Sequence, residues 1–446
     1  MIVMKFGGTS LGNAERIKEV SGLIEKTGDN FVVCSAMSGV TNTLVAIAGS
    51  WRDKDSEKAF ALVDDLEKKF HATCYELFDD AESSALTSQC IFDHFSVIKN
   101  RLNGEYDLNE ENWLLAQGEI ITSRLMVDYM NWSNISITWL NALELVRTGA
   151  DGEPSVGDIK QRLRDRIGDN PCGRFLTQGY ICLDNHGNIA NLRRGGSDYT
   201  ATLAGAALGA ERIEIWTDID GVRNNDPRIV DNTFPIRELS FDEAAELAYF
   251  GAKILHPACV WPASSNNIPI HLRNTMEPNA PGTIIRSDIG KKGITAVAAK
   301  EGITMIQIRS DRMLNAYGFL SSLFGIFEKY RTPIDVITTS EVSVSVTIDN
   351  AGKLDKIITE LGGLGDVTVH SGQAIVCVVG DILEQHKDRA VKILDSVRHF
   401  NVRMISFGGS KNNITIVVPE DEREEVLRSL NSFLFAGNQS KTVAHD

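Results

Sequence analysis

The stretch Lys5-Phe6-Gly7-Gly8-Thr9-Ser10 decides the fold. It follows the apolar run Ile2-Val3-Met4 and precedes a helical pattern of apolar residues that starts at Ala14. A short apolar run that ends in glycines predicts a buried strand leading into a tight turn. Glycine lets backbone amides approach an anion closely, and a helix N-terminus favours negative charge. The stretch therefore predicts a phosphate cradle with Lys5 as its cation. An ordinary strand-to-helix turn is the alternative.

Composition excludes several classes of protein. The chain has 446 residues and a net charge of −15, which predicts two or three domains and no basic surface for nucleic acid. No apolar run approaches the roughly 20 residues that span a bilayer, so we expect no membrane partner. Seven cysteines without a CxxC pair predict a reducing cytoplasm and no zinc site.

The pattern of strand, polar turn and helix recurs along the chain. Residues 31–35 form a second apolar run that leads into a hydroxyl-rich turn, and residues 193–200 open an alanine-rich helix. Open α/β sheets bind ligands at the carboxyl ends of their strands. Arg194 can bind a carboxylate with two hydrogen bonds, and Asp198 can accept from an ammonium group. A capped helix with a surface arginine is the alternative.

Two further features carry candidate chemistry. Glu119 lies in an apolar part of a helix predicted over 109–132, where an unpaired carboxylate is costly and needs a cation. A solvated helix face is the alternative. Lys253, in the motif Phe250–Pro257, is a second candidate cation for binding phosphate.

After residue 290 the sequence changes to short β-branched strands that alternate with short helices. Helices are predicted over 319–330 and 390–400, and strands over 334–340, 342–348, 402–406 and 414–418. The order strand-helix-strand-strand-helix-strand is typical of ferredoxin-like modules.

The chain contains neither a GxxxxGK[ST] motif nor a GxGxxG motif, so a P-loop NTPase or a Rossmann dehydrogenase is disfavoured. A phosphate-binding set and an amino-acid-binding set can both be drawn from its polar strand-end turns. Those two sets are what the phosphorylation of an amino acid requires.

Five motifs, in this order and spacing, resemble the aspartate kinase family: KFGGTS at 5–10, SAMSGVTN at 35–42, RGGSDYT at 194–200, WTD with DPR within 216–228, and FGAKILHP at 250–257. Residues 318–320 and ITTSEVS at 337–343 are similar to its monofunctional, lysine-inhibited branch. The resemblance implies an α/β fold. An amino-acid kinase (carbamate kinase-like) αβα sandwich over 1–290 would precede a regulatory region over 291–446 with two ferredoxin-like ACT domains. The first ACT domain, about 303–373, would be inserted in the second, formed by about 294–302 and 374–435.

The resemblance also implies the reaction. ATP and L-aspartate would give ADP and 4-phospho-L-aspartate, the first step of lysine, threonine and methionine biosynthesis, with Mg²⁺ as cofactor. L-Lysine would be the allosteric inhibitor of a cytoplasmic homodimer or tetramer. The attacking carboxylate, with an ordinary pKa of about 3.9, is already ionised at neutral pH, so no general base is needed.

Site residues follow from the same resemblance. The catalytic residues would be Lys5, Asp198 and Lys253. The residues that bind aspartate would be Ser35, Thr41, Glu119, Tyr180, Arg194 and Ser197. The residues that bind ATP would be Lys5, Gly7, Gly8, Thr217, Asp218, Arg223, Arg228 and Lys253. The residues that bind lysine would be Met313, Ala316, Phe319, Leu320, Asp335, Ser340 and Glu341. No protein-held metal site is predicted.

Some assignments stay open. Asp198 would either orient Lys5 or meet the substrate ammonium, and solvation at a strand end is the alternative for Asp335 and Glu341. Tyr180 stands where phenylalanine is usual in the family, Arg223 where tyrosine is frequent, and Ala316 where a hydroxyl is expected. Two rival functions remain: another kinase of this fold, acting on acetylglutamate, glutamate or uridylate, and a non-catalytic amino-acid sensor.

Overall fold

The computed structural model describes residues 1–169, 171–192, 195–251, 255–290, 293–313, 317–382 and 388–436. The chain forms two compact units. The first comprises Met1–Val222, Arg237–Phe241 and Ile254–Asp288, and the second comprises Arg223–Ile236, Asp242–Lys253 and Ile289–Asp446. The second unit includes two segments that a single boundary at 290 does not anticipate. In the described ranges no helix is long and apolar enough to cross a membrane.

The first unit is built on one large sheet. Its strands are β1 Ile2–Phe6, β2 Asn30–Cys34, β3 Thr138–Leu140, β4 Arg174–Gln178, β5 Ile181–Leu183, β6 Ile189–Asn191, β7 Ile213–Thr217, β8 Glu238–Leu239, β9 Ile270–Asn274 and β10 Thr283–Ile285. Eight strands form a sheet in the order β3-β4-β2-β1-β7-β9-β10-β8, and β5 pairs with β6 separately. All neighbours in the large sheet are parallel except β9 and β10. The carboxyl ends of β4, β2, β1 and β7 therefore lie along one edge.

The described residues before 290 include ten α-helices: α1 Ala14–Lys26, α2 Val40–Arg52, α3 Ser56–Leu77, α4 Ala81–Leu102, α5 Leu108–Trp132, α6 Ala142–Leu145, α7 Val156–Ile167, α8 Gly196–Leu208, α9 Phe241–Tyr249 and α10 Pro257–Ser265. All but α9, which from Asp242 onward belongs to the second unit, are part of the first. Side chains of Asn13, Asp55, Asp80 and Asp107 cap α1, α3, α4 and α5 by accepting from first-turn amides. Such caps satisfy orphan donors and fix where a helix begins.

The central strand β1 is buried because both of its faces are covered. Val3, Met4 and Phe6 are fully buried, and the Phe6 ring stacks on Trp216 of β7 with centroids 5.8 Å apart. Glu214 of β7 is also buried, but it accepts from Trp216 Nε1 at 3.0 Å and pairs with Arg212 at 2.9 Å. These partners offset the desolvation of its charge.

The second unit contains a six-stranded sheet in the order β12-β13-β11-β14-β16-β15. Its elements are β11 Ile294–Arg309, α11 Phe319–Lys329, β12 Ile337–Thr339, β13 Ser343–Ile348, α12 Leu354–Leu361, β14 Asp366–Gly380, α13 Asp388–Ser396, β15 Met404–Phe407, β16 Asn413–Pro419 and α14 Arg423–Phe435. The long strands β11 and β14 pair with each other throughout, with a register shift around residues 300–303. β13 joins only the C-terminal part of β11, and β16 only the C-terminal part of β14. The partners therefore change near the residues at which we predict the two modules to meet.

Two apolar segments turn at candidate site residues. Gly179 and Tyr180 separate β4 from β5. The strand expected over 334–340 is shorter in the structure, Ile337–Thr339, so that Asp335 and Ser340 lie outside it. An apolar run predicts that a strand is present but does not show where its backbone turns.

Candidate active site

Lys5 places a cation at the carboxyl edge of the central strand. Its Nζ lies 2.8 Å from Oδ1 of Asp198, in the first turn of α8, and the two side chains are 12% and 16% exposed. Two roles were left open for Asp198, and this contact supports the one in which Asp198 orients Lys5. A mostly buried ion pair fixes the ammonium group more firmly than a surface pair would.

The glycine turn after β1 makes room beside this ammonium. A Cβ on Gly7 would lie 3.5 Å from Lys5 Nζ, and one on Gly8 would lie 2.8 Å from the carbonyl oxygen of Ala36. The Gly7 amide donates to the Trp216 carbonyl at 3.2 Å. The sheet thus already uses this amide, and the contact of Gly7 with phosphate stays a prediction.

Helix α1 begins at Ala14 as the sequence predicts, but it does not follow the glycine turn directly. The turn runs into a 3₁₀-helix at Thr9–Leu11, and α1 begins only at Ala14, with the Asn13 side chain as its cap. A helix dipole acts mainly within its first turn. The anion-binding capacity of this corner therefore rests on Lys5 rather than on α1.

The turn between β2 and α2 is held by helix α5. The Ala36 amide donates to Glu119 Oε1 at 3.3 Å, and the Met37 amide donates to Thr122 Oγ1 at 3.1 Å. Ser35 begins this turn and Thr41 lies in the first turn of α2, and both are half-buried. The backbone between them is therefore held by hydrogen bonds from another element.

Glu119 is buried, so the solvated-face alternative is wrong. The residue is 3% exposed, and its Oε2 accepts no hydrogen bond from the part of the chain that the structure describes. Burial raises the pKa of its carboxyl group to about 7. A carboxylate in this state gains most from a cationic partner, which makes Glu119 a strong candidate for binding a ligand ammonium group.

The β4 turn packs tightly on the start of α8. Tyr180 has φ +67°, an uncommon backbone conformation for a residue with a side chain, and its amide donates to Thr200 Oγ1 at 3.1 Å. A Cβ on Gly179 would lie 2.3 Å from Ser197 Cβ. Strained residues persist where the surrounding structure holds them and cluster at functional sites. The β4 turn therefore places Tyr180 beside the start of α8, where Ser197 lies, and the contact of both residues with aspartate stays a prediction.

Two motifs distant in sequence meet at Gly195. This residue caps α8 with φ +74°, and a Cβ there would lie 2.3 Å from Cys259 Sγ and 2.6 Å from His256 Cβ. RGGSDYT and FGAKILHP thus meet where α8 and α10 begin. Arg194 and Lys253, the predicted cations of these motifs, lie outside the described residues, as does Ala316.

On the predicted nucleotide side, Thr217 ends β7 and Asp218 follows it, and the Thr217 hydroxyl donates to Asp218 Oδ1 at 3.1 Å. Arg223 and Arg228 belong to the second unit. Arg223 donates to the hydroxyl and carbonyl oxygens of Thr233 at 2.7 and 2.6 Å. Both guanidinium groups have partners within their own segment, and their contact with ATP stays a prediction.

Arg228 is bound to a neighbour in its own motif. Its guanidinium group donates to both carboxylate oxygens of Asp226, at 3.0 and 2.6 Å, and this hydrogen bonding lowers the pKa of Asp226. Within the described ranges no group of three or more His, Cys, Asp or Glu residues could hold a metal ion.

The predicted lysine-binding residues lie in the second unit. The Asp335 side chain is 3% exposed, so solvation at a strand end does not describe it, whereas Glu341 is exposed. Met313 and Phe319 pack against the apolar core formed by α11, α12, β11 and β13. Leu320 and Ser340 are exposed. The residues therefore combine an apolar wall, an exposed rim and one buried carboxylate.

Sequence reasoning missed several side chains that shape these sites. Thr122 holds the Met37 amide, and Lys69 of α3 donates to the Ser38 carbonyl at 2.5 Å. Thr122 reaches the turn before α2 from the helix that carries Glu119, and Lys69 reaches it from α3, which carries no candidate site residue. The apolar periodicity of a helix shows which of its faces is buried, but it does not show which loop the buried face contacts.

Comparison with known proteins gives the family. The amino acid kinase family matches residues 1–274, and the ACT domain family matches residues 376–433. The lysine-sensitive aspartokinase 3 of Escherichia coli K12 is 32% identical over 98% of this chain and 99% of its own length. The chloroplastic aspartokinase 1 of Arabidopsis thaliana is 34% identical over 99% of this chain and 81% of its own length. The chain belongs to the aspartokinase family.

Solved aspartokinases agree in fold. The E. coli aspartokinase III structure in complex with aspartate and ADP (R-state) superposes with a TM-score of 0.84 at 30% identity, covering 98% of this chain and 100% of that one. The T-state structure, in complex with lysine and aspartate, gives 0.76 at 30% identity, with 98% and 99% coverage. The predicted family, its kinase class and the α/β fold with ACT modules are thereby confirmed.

Proposed function

We propose that this aspartokinase family member transfers the γ-phosphoryl group of Mg-ATP to the β-carboxylate of L-aspartate, giving 4-phospho-L-aspartate and ADP. The proposal depends on two charged groups in the first unit. The Lys5 ammonium group at the end of β1 pairs with Asp198 at 2.8 Å. The buried Glu119 carboxylate has one oxygen that accepts no hydrogen bond from the described residues. A phosphoryl transfer to an amino acid needs both a phosphate cation and an acceptor for the substrate ammonium.

The relatives support the substrates. A solved structure with TM-score 0.84 is of an aspartokinase in complex with aspartate and ADP. Acceptor and nucleotide thus bind together in a protein of this fold. We extend both ligands to this chain because the motifs that would contact them are present here.

The chemistry reduces to positioning and charge. The β-carboxylate is an ionised nucleophile at neutral pH, so catalysis consists of holding two anions in line and stabilising charge on the transferring group. Lys5 would bind the phosphates while Asp198 fixes its ammonium group. Glu119 would hold the substrate ammonium, and Ser35, Thr41 and Ser197 would donate hydroxyl hydrogen bonds.

The remaining roles rest on the motifs. Arg194 would bind a substrate carboxylate, and Lys253 would add a second phosphate cation, with Thr217 and Asp218 on the nucleotide side. Tyr180 would contribute to the aspartate pocket. Mg²⁺ would arrive with ATP, because this ion keeps much of its hydration and binds through phosphates and few protein oxygens.

We further propose that L-lysine is an allosteric inhibitor bound at the first ACT module of a homodimer or tetramer. The relative from E. coli is called lysine-sensitive, and a structure of this fold contains lysine and aspartate. The buried Asp335 carboxylate suits an ammonium ligand. A cytoplasmic location is proposed because the reaction consumes ATP and belongs to amino-acid biosynthesis.

A hydroxamate assay tests the proposed reaction. Acyl phosphates react with hydroxylamine, so ATP-dependent hydroxamate formation with L-aspartate is the expected result. Acetylglutamate, glutamate and uridylate serve as competing acceptors. Turnover of one of these in place of aspartate would point to the rival kinases, and no turnover with any acceptor would point to a sensor.

A further inference from the structure

Four side chains form one charged cluster in the second unit, which we call the Asp335 cluster: Tyr249, Lys300, Asp335 and Asp349. Lys300 Nζ lies 2.7 Å from Asp335 Oδ1 and 2.8 Å from Asp349 Oδ2. The Tyr249 hydroxyl donates to the same Asp335 oxygen at 3.1 Å, and Lys300 Nζ stands 5.0 Å from the centre of the Tyr249 ring. One carboxylate oxygen thus receives two donors.

The two carboxylates of the cluster differ in solvation. The Asp335 side chain is 3% exposed, whereas that of Asp349 is 41% exposed. Asp335 Oδ2 is buried and accepts no hydrogen bond from the described residues. Burial raises the pKa of Asp335, and the bond from Lys300 only partly offsets this effect. Asp335 is therefore a carboxylate that depends on a cation, while Asp349 remains partly solvated without one.

The group that Lys300 presents is chemically the same as the side chain of free L-lysine, an ammonium group on a four-carbon stem. We propose that Lys300 is an internal competitor of the effector, and that L-lysine binds by displacing the Lys300 ammonium group from Asp335. This inference rests on the proposed regulation by L-lysine. The displaced ammonium group retains Asp349, so the exchange leaves neither charge unpaired.

The competition is expected to set the effector concentration at which inhibition begins. A ligand that must displace a bound group gains only the difference between the two interactions. Removing Lys300 would leave the buried Asp335 without its cation, a costly state that an ammonium ligand would relieve. A chain without the Lys300 charge should therefore bind L-lysine more tightly than the wild type.

The exchange would also change a contact of Tyr249. This residue is the last of α9, and its hydroxyl donates to the Asp335 oxygen that Lys300 binds. Displacement of Lys300 by a ligand ammonium group would therefore replace one of the two donors at the oxygen that Tyr249 shares.

The test compares wild-type enzyme with Lys300→Met, Lys300→Arg and Lys329→Met. Lys329 is the last residue of α11 and pairs with Glu360 at 2.5 Å, away from the Asp335 cluster, so its replacement is a matched control for loss of a lysine. L-Lysine binding is measured by calorimetry, which does not need turnover, and inhibition by the hydroxamate assay. We expect the dissociation constant of Lys300→Met to fall by about fivefold or more, and the other two variants to stay near wild type.

The outcomes separate this inference from the proposed function. If the wild type binds L-lysine but Lys300→Met binds it equally or more weakly, the internal competitor is refuted and lysine regulation stands. If the wild type does not bind L-lysine but Lys300→Met does, Lys300 closes the site to L-lysine in the native enzyme, and both the displacement and the regulation are refuted. If neither binds it, both are refuted. Thermal unfolding with and without L-lysine shows whether Lys300→Met is folded, and a Tm rise larger than that of wild type supports the proposal.

Discussion

At the residue scale, the candidate site rests on a few charges with unusual surroundings. Lys5 is held by Asp198 at 2.8 Å, whereas Glu119 has an oxygen without a partner among the described residues. The Lys5–Asp198 ion pair is formed before any ligand binds, whereas Glu119 lacks a cationic partner until one binds. Mutation of Lys5 should therefore affect kcat, and the protonation of Glu119 should affect the KM for aspartate.

Lys5→Ala should lower kcat by about 100-fold or more, because a preorganised cation on the transferring phosphate is among the largest catalytic contributions. The protein should remain folded, which is checked by its unfolding midpoint. Lys58→Ala, at an exposed position on α3, is the control and should leave kcat unchanged. A Lys5→Ala enzyme with nearly normal kcat would remove Lys5 from the mechanism.

The KM for L-aspartate should fall as pH rises from 6 to 8. Burial raises the pKa of Glu119 to about 7, so at lower pH the carboxyl group is protonated and must lose its proton to bind an ammonium group. Each pH unit below that pKa should raise KM by roughly tenfold, with a plateau above it. Glu119→Gln should have a high KM with little pH dependence. An equally steep profile in this variant would assign the titration to another group.

At the element scale, the sequence predicted the order of elements better than their ends. The helix expected over 319–330 is Phe319–Lys329, because its apolar period is strong. The strand expected over 334–340 is only Ile337–Thr339. The Asp335 amide and the Val336 carbonyl still bond to Thr347, but the chain there serves the Asp335 cluster rather than a regular ladder.

Close contacts between elements that are distant along the chain could likewise not be predicted from the sequence. Gly7 and Gly8 were noted as a turn, but the Gly7 amide bonds to Trp216 of β7, more than 200 positions along the printed sequence. A local sequence pattern shows that a glycine backbone can adopt many conformations, but it does not show which distant backbone the glycine contacts. The location of the site at the strand ends was predictable, because in parallel sheets it follows from the topology alone.

Gly179→Ala should destabilise the protein by about 1–3 kcal/mol, the usual cost of overpacking. Its Cβ would lie 2.3 Å from Ser197 Cβ, so the β4 turn and the start of α8 must separate. Gly22→Ala is the matched control: this position on α1 has no atom within 4 Å of the added Cβ, and alanine should stabilise the helix by about 0.5–1 kcal/mol. Urea unfolding of both variants measures the difference, and equal stabilities would contradict the packing described.

At the scale of the whole molecule, a chain with net charge −15 must bring two anionic substrates together. Long-range repulsion and short-range attraction respond differently to salt, because screening acts mainly on exposed and distant charges. The partly buried Lys5–Asp198 pair should be affected little. Cations at the site, such as Lys5, must therefore attract the substrates despite the negative electrostatic potential of the protein as a whole.

Raising ionic strength from about 0.01 to about 0.15 M shortens the Debye length from about 30 to about 8 Å. We therefore expect kcat/KM for ATP to increase by a few-fold over this range, with kcat nearly constant. Potassium chloride and choline chloride should act alike if screening is the cause. A steep decrease in kcat/KM would mean that exposed cations, rather than the buried pair, dominate substrate attraction.

The central claim is that one edge of the large sheet holds both substrates beside Lys5 and Glu119. A crystal structure of the enzyme with a non-hydrolysable ATP analogue and L-aspartate tests it most directly. We expect the terminal phosphate within hydrogen-bond distance of Lys5 Nζ and the aspartate ammonium group on Glu119, with the β-carboxylate facing the phosphate. Ligands bound in separate clefts, or a phosphate without contact to Lys5, would contradict it.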